Sequence, residues 1–157
     1  MSAATPALFR HPGCALCEPA AAGTALRIAE DARLHVIRVL DAPDFPAFYR
    51  VIWHSHVAEF SGLNAADRLH CMDVVAALEQ ALIETLAPTK VNLAALGNMV
   101  PHLHWHVIAR FDWDAQFPQP IWGAKQREVA DAAARLAVPL ATLDERVRAA
   151  VAPLLGR

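Results

Sequence analysis

Cysteine is scarce in this chain: there are 3, an odd number, and that argues against a disulfide-stapled scaffold. An excess of charge of one sign is missing too. Fourteen Lys and Arg stand against 16 Asp and Glu, giving a formal charge of −2. With no basic run along the chain, nothing suggests electrostatic capture of long nucleic acid, and a bound nucleotide should be small. No stretch approaches the ~20 uninterrupted apolar residues of a membrane-spanning helix. The start, MSAATPALFRHPGC, lacks the basic region and long apolar run of a secretory signal. These absences lead us to expect a cytoplasmic protein with no membrane association. What is present is a 157-residue chain, 55% apolar, long enough for one domain whose core needs no covalent staples.

Residues 1–23, rich in Ala, Pro and Gly, read as an irregular lead-in. LHVIRVL over 34–40 is dense in β-branched residues and runs into Asp41-Ala-Pro-Asp, so it predicts a strand ending in a turn. FYRVIW, beginning at Phe48, predicts an antiparallel neighbour. Asn64 is a suitable N-cap for a long helix in which Leu69, Met72, Val75, Leu78, Leu82 and Leu86 recur until Pro88 stops it. A third strand follows over 90–96, Gly97-Asn98 marks a turn, and 102–111 reads as a fourth strand. Ala-, Glu- and Arg-rich stretches over 124–136 and 142–154 predict one or two terminal helices interrupted near Pro139. The expectation is an α+β domain over 1–157: a mainly antiparallel sheet with one long helix in a core of about 14–111, then a loop and a C-terminal helical extension.

The informative segment is Pro101-His-Leu-His-Trp-His-Val-Ile-Ala-Arg110. Side chains alternate along a strand, so His102, His104 and His106 should share one face at spacings of ~7 Å while Leu103, Trp105 and Val107 face the core. Three imidazoles in a row are hard to explain as packing, because each carries nitrogens that need partners when buried. Neutral imidazole is a nucleophile, an acid or base near neutral pH, and a metal ligand. A His-x-His pair could supply two ligands of an open catalytic metal site, which makes a metal-dependent hydrolase the alternative reading. A straight strand spreads all three too widely for one ion and suits nucleophilic catalysis better.

HLHWHVI resembles the signature of the histidine triad proteins, which are nucleotide hydrolases and transferases. The resemblance covers roughly residues 14–111. Val91-Asn92 and Gly97-Asn98-x-Val100 lie where that family has its Asn and its Gly-Gln-x-Val, and Val51-Ile-Trp-His-Ser-His56 with Glu59-Phe and Leu63 resembles its earlier strand and helix start. It implies that His104 attacks the α-phosphorus of a nucleotide to form a nucleotidyl-histidine. It further implies that His102 orients His104, and that His106 contacts the phosphate and assists the leaving group. Asn92, Asn98 and His56 match substrate-contacting positions, although Asn98 beside Gly97 equally suits turn chemistry. The resemblance also implies an adenosine phosphoramidate or dinucleoside polyphosphate substrate, a homodimer, no metal required for the chemistry, and magnesium accompanying a polyphosphate. Met99 departs from the pattern, standing where several phosphoramidate-cleaving members carry a hydroxyl. A non-catalytic nucleotide-binding module would have no need of the nucleophile.

Cys14-Ala-Leu-Cys17 has the spacing of half a zinc site, or of two free thiols, or of a redox pair. Some members of the resembling family hold structural zinc with such a pair and two histidines; the matching positions are Cys14, Cys17, His56 and His102, with His54 competing with His56. Cys71 reads as a small core residue. His11, His35 and His70 lack motif context and read as surface or strand histidines. Arg110 reads as a structural charge, and Trp113 and Trp122 as loop packing.

Overall fold

The computed structural model describes residues 7–156. Its strands are β1 (Ala25–Glu30), β2 (Leu34–Val39), β3 (Phe48–Trp53), β4 (Lys90–Ala94) and β5 (His104–Arg110), and its helices are α1 (Ala65–Leu86) and α2 (Leu140–Val151). All five strands form one antiparallel sheet in the order β1-β2-β3-β5-β4. β1 has little apolar patterning: it is a largely exposed edge strand whose pairing with β2 is irregular between Arg27 and Ala29, which explains its weak sequence signal.

α1 begins where the cap predicts. The Asn64 Oδ1 accepts from the Asp67 backbone N–H at 2.9 Å, and the helix ends at Ala87, which takes a left-handed conformation just before Pro88. The helix buries His70, Cys71, Val74, Val75, Leu78, Ala81, Leu82 and Leu86; Leu69, expected on that stripe, is exposed because the buried face is set one residue further along. Against this stripe lies one face of the sheet, with Leu34, Val36, Tyr49, Val51, Val107 and Ala109 in the same core. Each fully buried Leu, Ile or Val contributes ~1.5–3 kcal/mol.

α2 adds Leu143, Val147 and Val151 to that core. It is tied to the sheet by Asp144, which accepts from Arg38 Nε at 2.9 Å and Tyr49 Oη at 2.8 Å. The helix predicted over 124–136 does not form. Only a 3-10 turn, Ala133–Arg135, appears there, because the Gln126 and Arg127 amides bond the Ala115 carbonyl and the Arg127 guanidinium bonds the carbonyls of Asp114 and Phe117. Tertiary hydrogen bonds outweigh helix propensity in this segment.

With α1 covering one face, the other is left for chemistry. Its residues are fixed by register: Ile37 pairs Arg50, Arg50 pairs His106, and Ala94 pairs His106, so these four form one row across the sheet. The next row carries His35, Ile52 and His104. Part of this face is packed by a small cluster of Val39, Phe45, Phe48 and Ile108, with Ile121 from the loop after β5 against it.

Candidate active site and metal-ligand cluster

His104 and His106 open into a cavity of about 390 Å³, with Arg50 between the strand rows, the Gly97–Asn98–Met99 turn on one side and Trp122 on another. A volume of this order is usual for a small-molecule site, ~300–1,000 Å³. Gly97 takes a positive φ of 67°, and Asn98 and Met99 project from the turn as exposed residues. Among the described residues no carboxylate lines the cavity.

Hydrogen bonding fixes the His104 tautomer. The His104 Nδ1 lies 2.6 Å from the His102 carbonyl oxygen, an acceptor only, so Nδ1 carries the proton and Nε2 keeps its lone pair. Burial, then the Arg50 cation, holds His104 below the ordinary histidine range. His106 meets His104 edge-on at 4.8 Å and Trp122 at 5.1 Å, and its buried Nδ1 has no hydrogen-bond partner among the described residues. Burial, with His104 and Arg50 adding to it, lowers the His106 pKa to about 3. Both imidazoles are therefore neutral at physiological pH.

His102 precedes β5 and does not line the cavity that the other two share. β5 begins only at His104, because the His102 amide bonds the Val100 carbonyl while Leu103 bonds Val57 and Trp53. The His102 Nε2–H donates to the Trp53 carbonyl at 2.6 Å, turning Nδ1 toward the Sγ atoms of Cys14 and Cys17, each 3.5 Å away. His56 joins them, its Nδ1 3.4 Å from Cys17 Sγ. One donor atom from each of Cys14, Cys17, His56 and His102 lies within 4.8 Å of the others. Zn–S and Zn–N bonds of ~2.3 and ~2.0–2.1 Å at tetrahedral angles place S and N about 3.6 Å apart, so the donor set fits such an ion. A backbone carbonyl fixing the far nitrogen of His102 is the usual support for a metal-ligating imidazole.

His54, the competitor for His56, lies elsewhere: its Nδ1 is 3.3 Å from the Ala32 carbonyl and its ring packs on His35. His56 sits with the cysteines and does not line the cavity. Asn98 does line it, whereas Asn92 lies one cavity over, its Oδ1 accepting from Arg110 Nη1 at 2.8 Å. Arg110 is the structural charge that the sequence suggests, 1% exposed and bonded to Asp114 through Nε at 2.7 Å and Nη2 at 3.0 Å. His70 is neither a surface nor a strand residue; it sits on α1 with Nε2 2.7 Å from the Asp31 carboxylate. Cys71 is a core residue, its thiol pushed up to about 12 by burial. Trp113 stacks on Phe111 under the Arg135 guanidinium, as loop packing. Trp122 is different, since it walls the cavity. Sequence reasoning passed over Arg50, whose signal was a single cation inside the otherwise apolar FYRVIW.

The HIT domain family model matches residues 24–113. No curated protein matches in sequence. A histidine triad protein from Bradyrhizobium japonicum has a similar solved structure, with TM-score 0.66 and 26% identity over 82% of this chain and 91% of its own. Another, from Marinobacter aquaeolei, gives 0.61 and 28% over 85% and 90%. A zinc-bound histidine triad family protein from Mycobacterium smegmatis shares the fold at 0.57 and 20% over 90% and 95%. Domain match, sheet order and the arrangement of HLHWHVI agree, and the chain belongs to the histidine triad (HIT) domain family.

Proposed function

We propose that the protein is a nucleotide hydrolase or transferase that works through a covalent nucleotidyl-His104. The observation that carries this reading is the His104 tautomer: with Nδ1–H committed to the His102 carbonyl, Nε2 is a fixed lone pair facing the cavity. In the first step Nε2 attacks the α-phosphorus in line, the N–P bond forms, and the bond to the leaving group breaks with its electron pair on the departing atom. A phosphate leaves as the anion, whereas an amine takes a proton from solvent. His106, neutral, donates its one N–H to the phosphate or the departing atom. In the second step water attacks phosphorus, the P–N bond breaks, its electron pair returns to Nε2, and the water proton passes to solvent or phosphate.

The metal-dependent alternative, with His102 and His104 as ligands of a catalytic ion, finds less support. The His102 imidazole is turned to the cysteines and does not line the cavity that His104 opens into. We assign Cys14, Cys17, His56 and His102 to a structural zinc, which would supply a cross-link between the N-terminal segment and the start of β5. His102 then positions His104 through its carbonyl. Magnesium, when a polyphosphate needs it, would arrive with that substrate, since the cavity has no carboxylate ligands. A homodimer and a cytoplasmic location complete the reading. β4 is an open sheet edge with Leu93, Leu96 and Met99 exposed along and beyond it, and no described helix is long and apolar enough to cross a membrane.

The test incubates the protein with an adenosine phosphoramidate and with diadenosine polyphosphates, then looks for AMP and for an acid-quenched adenylyl adduct. Both should appear, and both should vanish in His104→Ala. A folded protein that yields neither from any of these substrates would overturn the proposal.

A further inference from the structure

Beyond helping to lower the pKa values of His104 and His106, Arg50 has no role in the chemistry described so far, and its placement asks for one. It stands in the middle of β3, a central strand, between Ile37 and His106 in the row that crosses the sheet. Among the described residues it forms no ion pair, and its Nε is buried without a hydrogen-bond partner. The Phe48 ring centroid lies 5.2 Å from its guanidinium, and the Asp41 carboxylate acts on it electrostatically without pairing with it. Among the described residues it is the one formally charged side chain lining the His104–His106 cavity. A half-buried cation with unsatisfied donors is costly unless an anion meets it, and a planar guanidinium meets a phosphate best.

Position decides which phosphate. Arg50 lies opposite His106, whereas Ile52 lies opposite the nucleophile His104, ~7 Å further along the strand. With His106 meeting the leaving group, as proposed above, the guanidinium stands at the leaving-group end of an α-phosphate seated on His104 Nε2. On the facing wall, Met99 offers no hydroxyl to a small polar leaving group and is 94% exposed.

We infer that Arg50 is a specificity-determining residue that binds the phosphate beyond the scissile bond, so that this site selects nucleotides with a phosphorylated, anionic leaving group over those with an amine. This deepens the nucleotidyl-His104 reading and rests on it. In the step involved, the P–O bond to the second phosphate breaks, its electron pair stays on the departing oxygen, and Arg50 pairs with the charge that develops there.

Binding and turnover test it separately. Calorimetry on the intact protein should show ADP bound about 10- to 150-fold more tightly than AMP, the range expected of a hydrogen-bonded charged contact. In Arg50→Met that ratio should collapse to near one while AMP affinity stays within a few-fold. In turnover, Arg50→Met should lose kcat/KM for diadenosine polyphosphate by a similar factor and keep most of that for adenosine phosphoramidate. Equal loss on AMP and ADP, or on both substrates, would place Arg50 at the α-phosphate or in the pocket's shape and overturn the inference; so would an unchanged ratio. Should Arg50→Met fail to fold by circular dichroism, Arg50→Lys decides. A point charge without the fork should retain part of the ADP preference, and full retention or equal loss on AMP would refute the assignment. The two proposals fail separately: an absent His104 adduct sinks the covalent mechanism and leaves the ADP-to-AMP ratio to speak for Arg50.

Discussion

Replacing Arg110 with Met removes the clamp on the loop that walls the cavity, and the cost follows from its bonds. The guanidinium is buried and donates twice to Asp114, once to Asn92 and, at 2.7 Å, to the Gln119 carbonyl. Taking one member from a buried ion pair costs ~3–5 kcal/mol, chiefly because the remaining charge is stranded. Asp114 is not wholly stranded, since the amides of Phe111, Gln116 and Phe117 still donate to it. The loss should therefore fall near the lower end, about 3 kcal/mol. With a urea m-value of ~1–3 kcal/mol/M, the unfolding midpoint should drop by about 1–3 M. Pairing Arg110→Met with Asp114→Leu should cost less than the sum of the single losses, because removing both charges leaves neither stranded, while the three amides still lose their acceptor. A single-variant loss below ~1 kcal/mol, an ordinary hydrogen bond, would refute the view that this pair holds the loop. So would a double variant no better than the sum of the singles.

The metal cluster predicts about one zinc per chain by elemental analysis, with Cys14→Ser and chelation both lowering Tm; metal-free protein of unchanged Tm would count against a structural ion. Against the opposing effect of burial, the backbone N–H groups of Arg33 and Leu34 and the neighbouring His70 hold Asp31 below the usual carboxylate range, so its contribution is present above pH ~4 and is lost as pH falls through the depressed folded value. Urea midpoints at pH 7, 5 and 3.5 should show that fall, and Asp31→Asn should flatten it. Leu78→Ala, at a fully buried α1 position, should cost ~2–5 kcal/mol in denaturant unfolding, and a cost under 1 would mean that the α1 core is misplaced. Trp122→Ala opens the wall beside His106 and should raise KM more than it lowers kcat in adenylyl-release kinetics.

The long helix was legible because Asn64, a recurring apolar stripe and Pro88 state its start, face and end in neighbouring residues. Four strands were legible for a similar reason. β1 was not, since an exposed edge strand needs little apolar patterning, and the absent helix over 124–136 was misread because the bonds that displace it come from Ala115, Asp114 and Phe117. In the site, the histidine spacing correctly placed His104 and His106 on one face, but it could not show that the strand starts after His102 and turns that imidazole toward Cys14 and Cys17. The cysteine ligand set was reached only by resemblance, because 14 and 102 are 88 residues apart and no local period links them. Arg50 was missed because a lone cation in an apolar strand acquires meaning only from what stands opposite it.

That 88-residue separation also has a history within synthesis. At ~5–20 residues per second, Cys14 and Cys17 precede His102 from the peptidyl-transfer centre by roughly 4–18 s. Through that interval the nascent chain carries two thiols whose histidine neighbours are incomplete, His56 arriving about midway and His102 last. Their final arrangement closes a loop of 88 residues, whose closure entropy must be met before the contact forms. The stretch that fixes the His104 tautomer is thus made together with its own anchor, about two-thirds of the way along the chain.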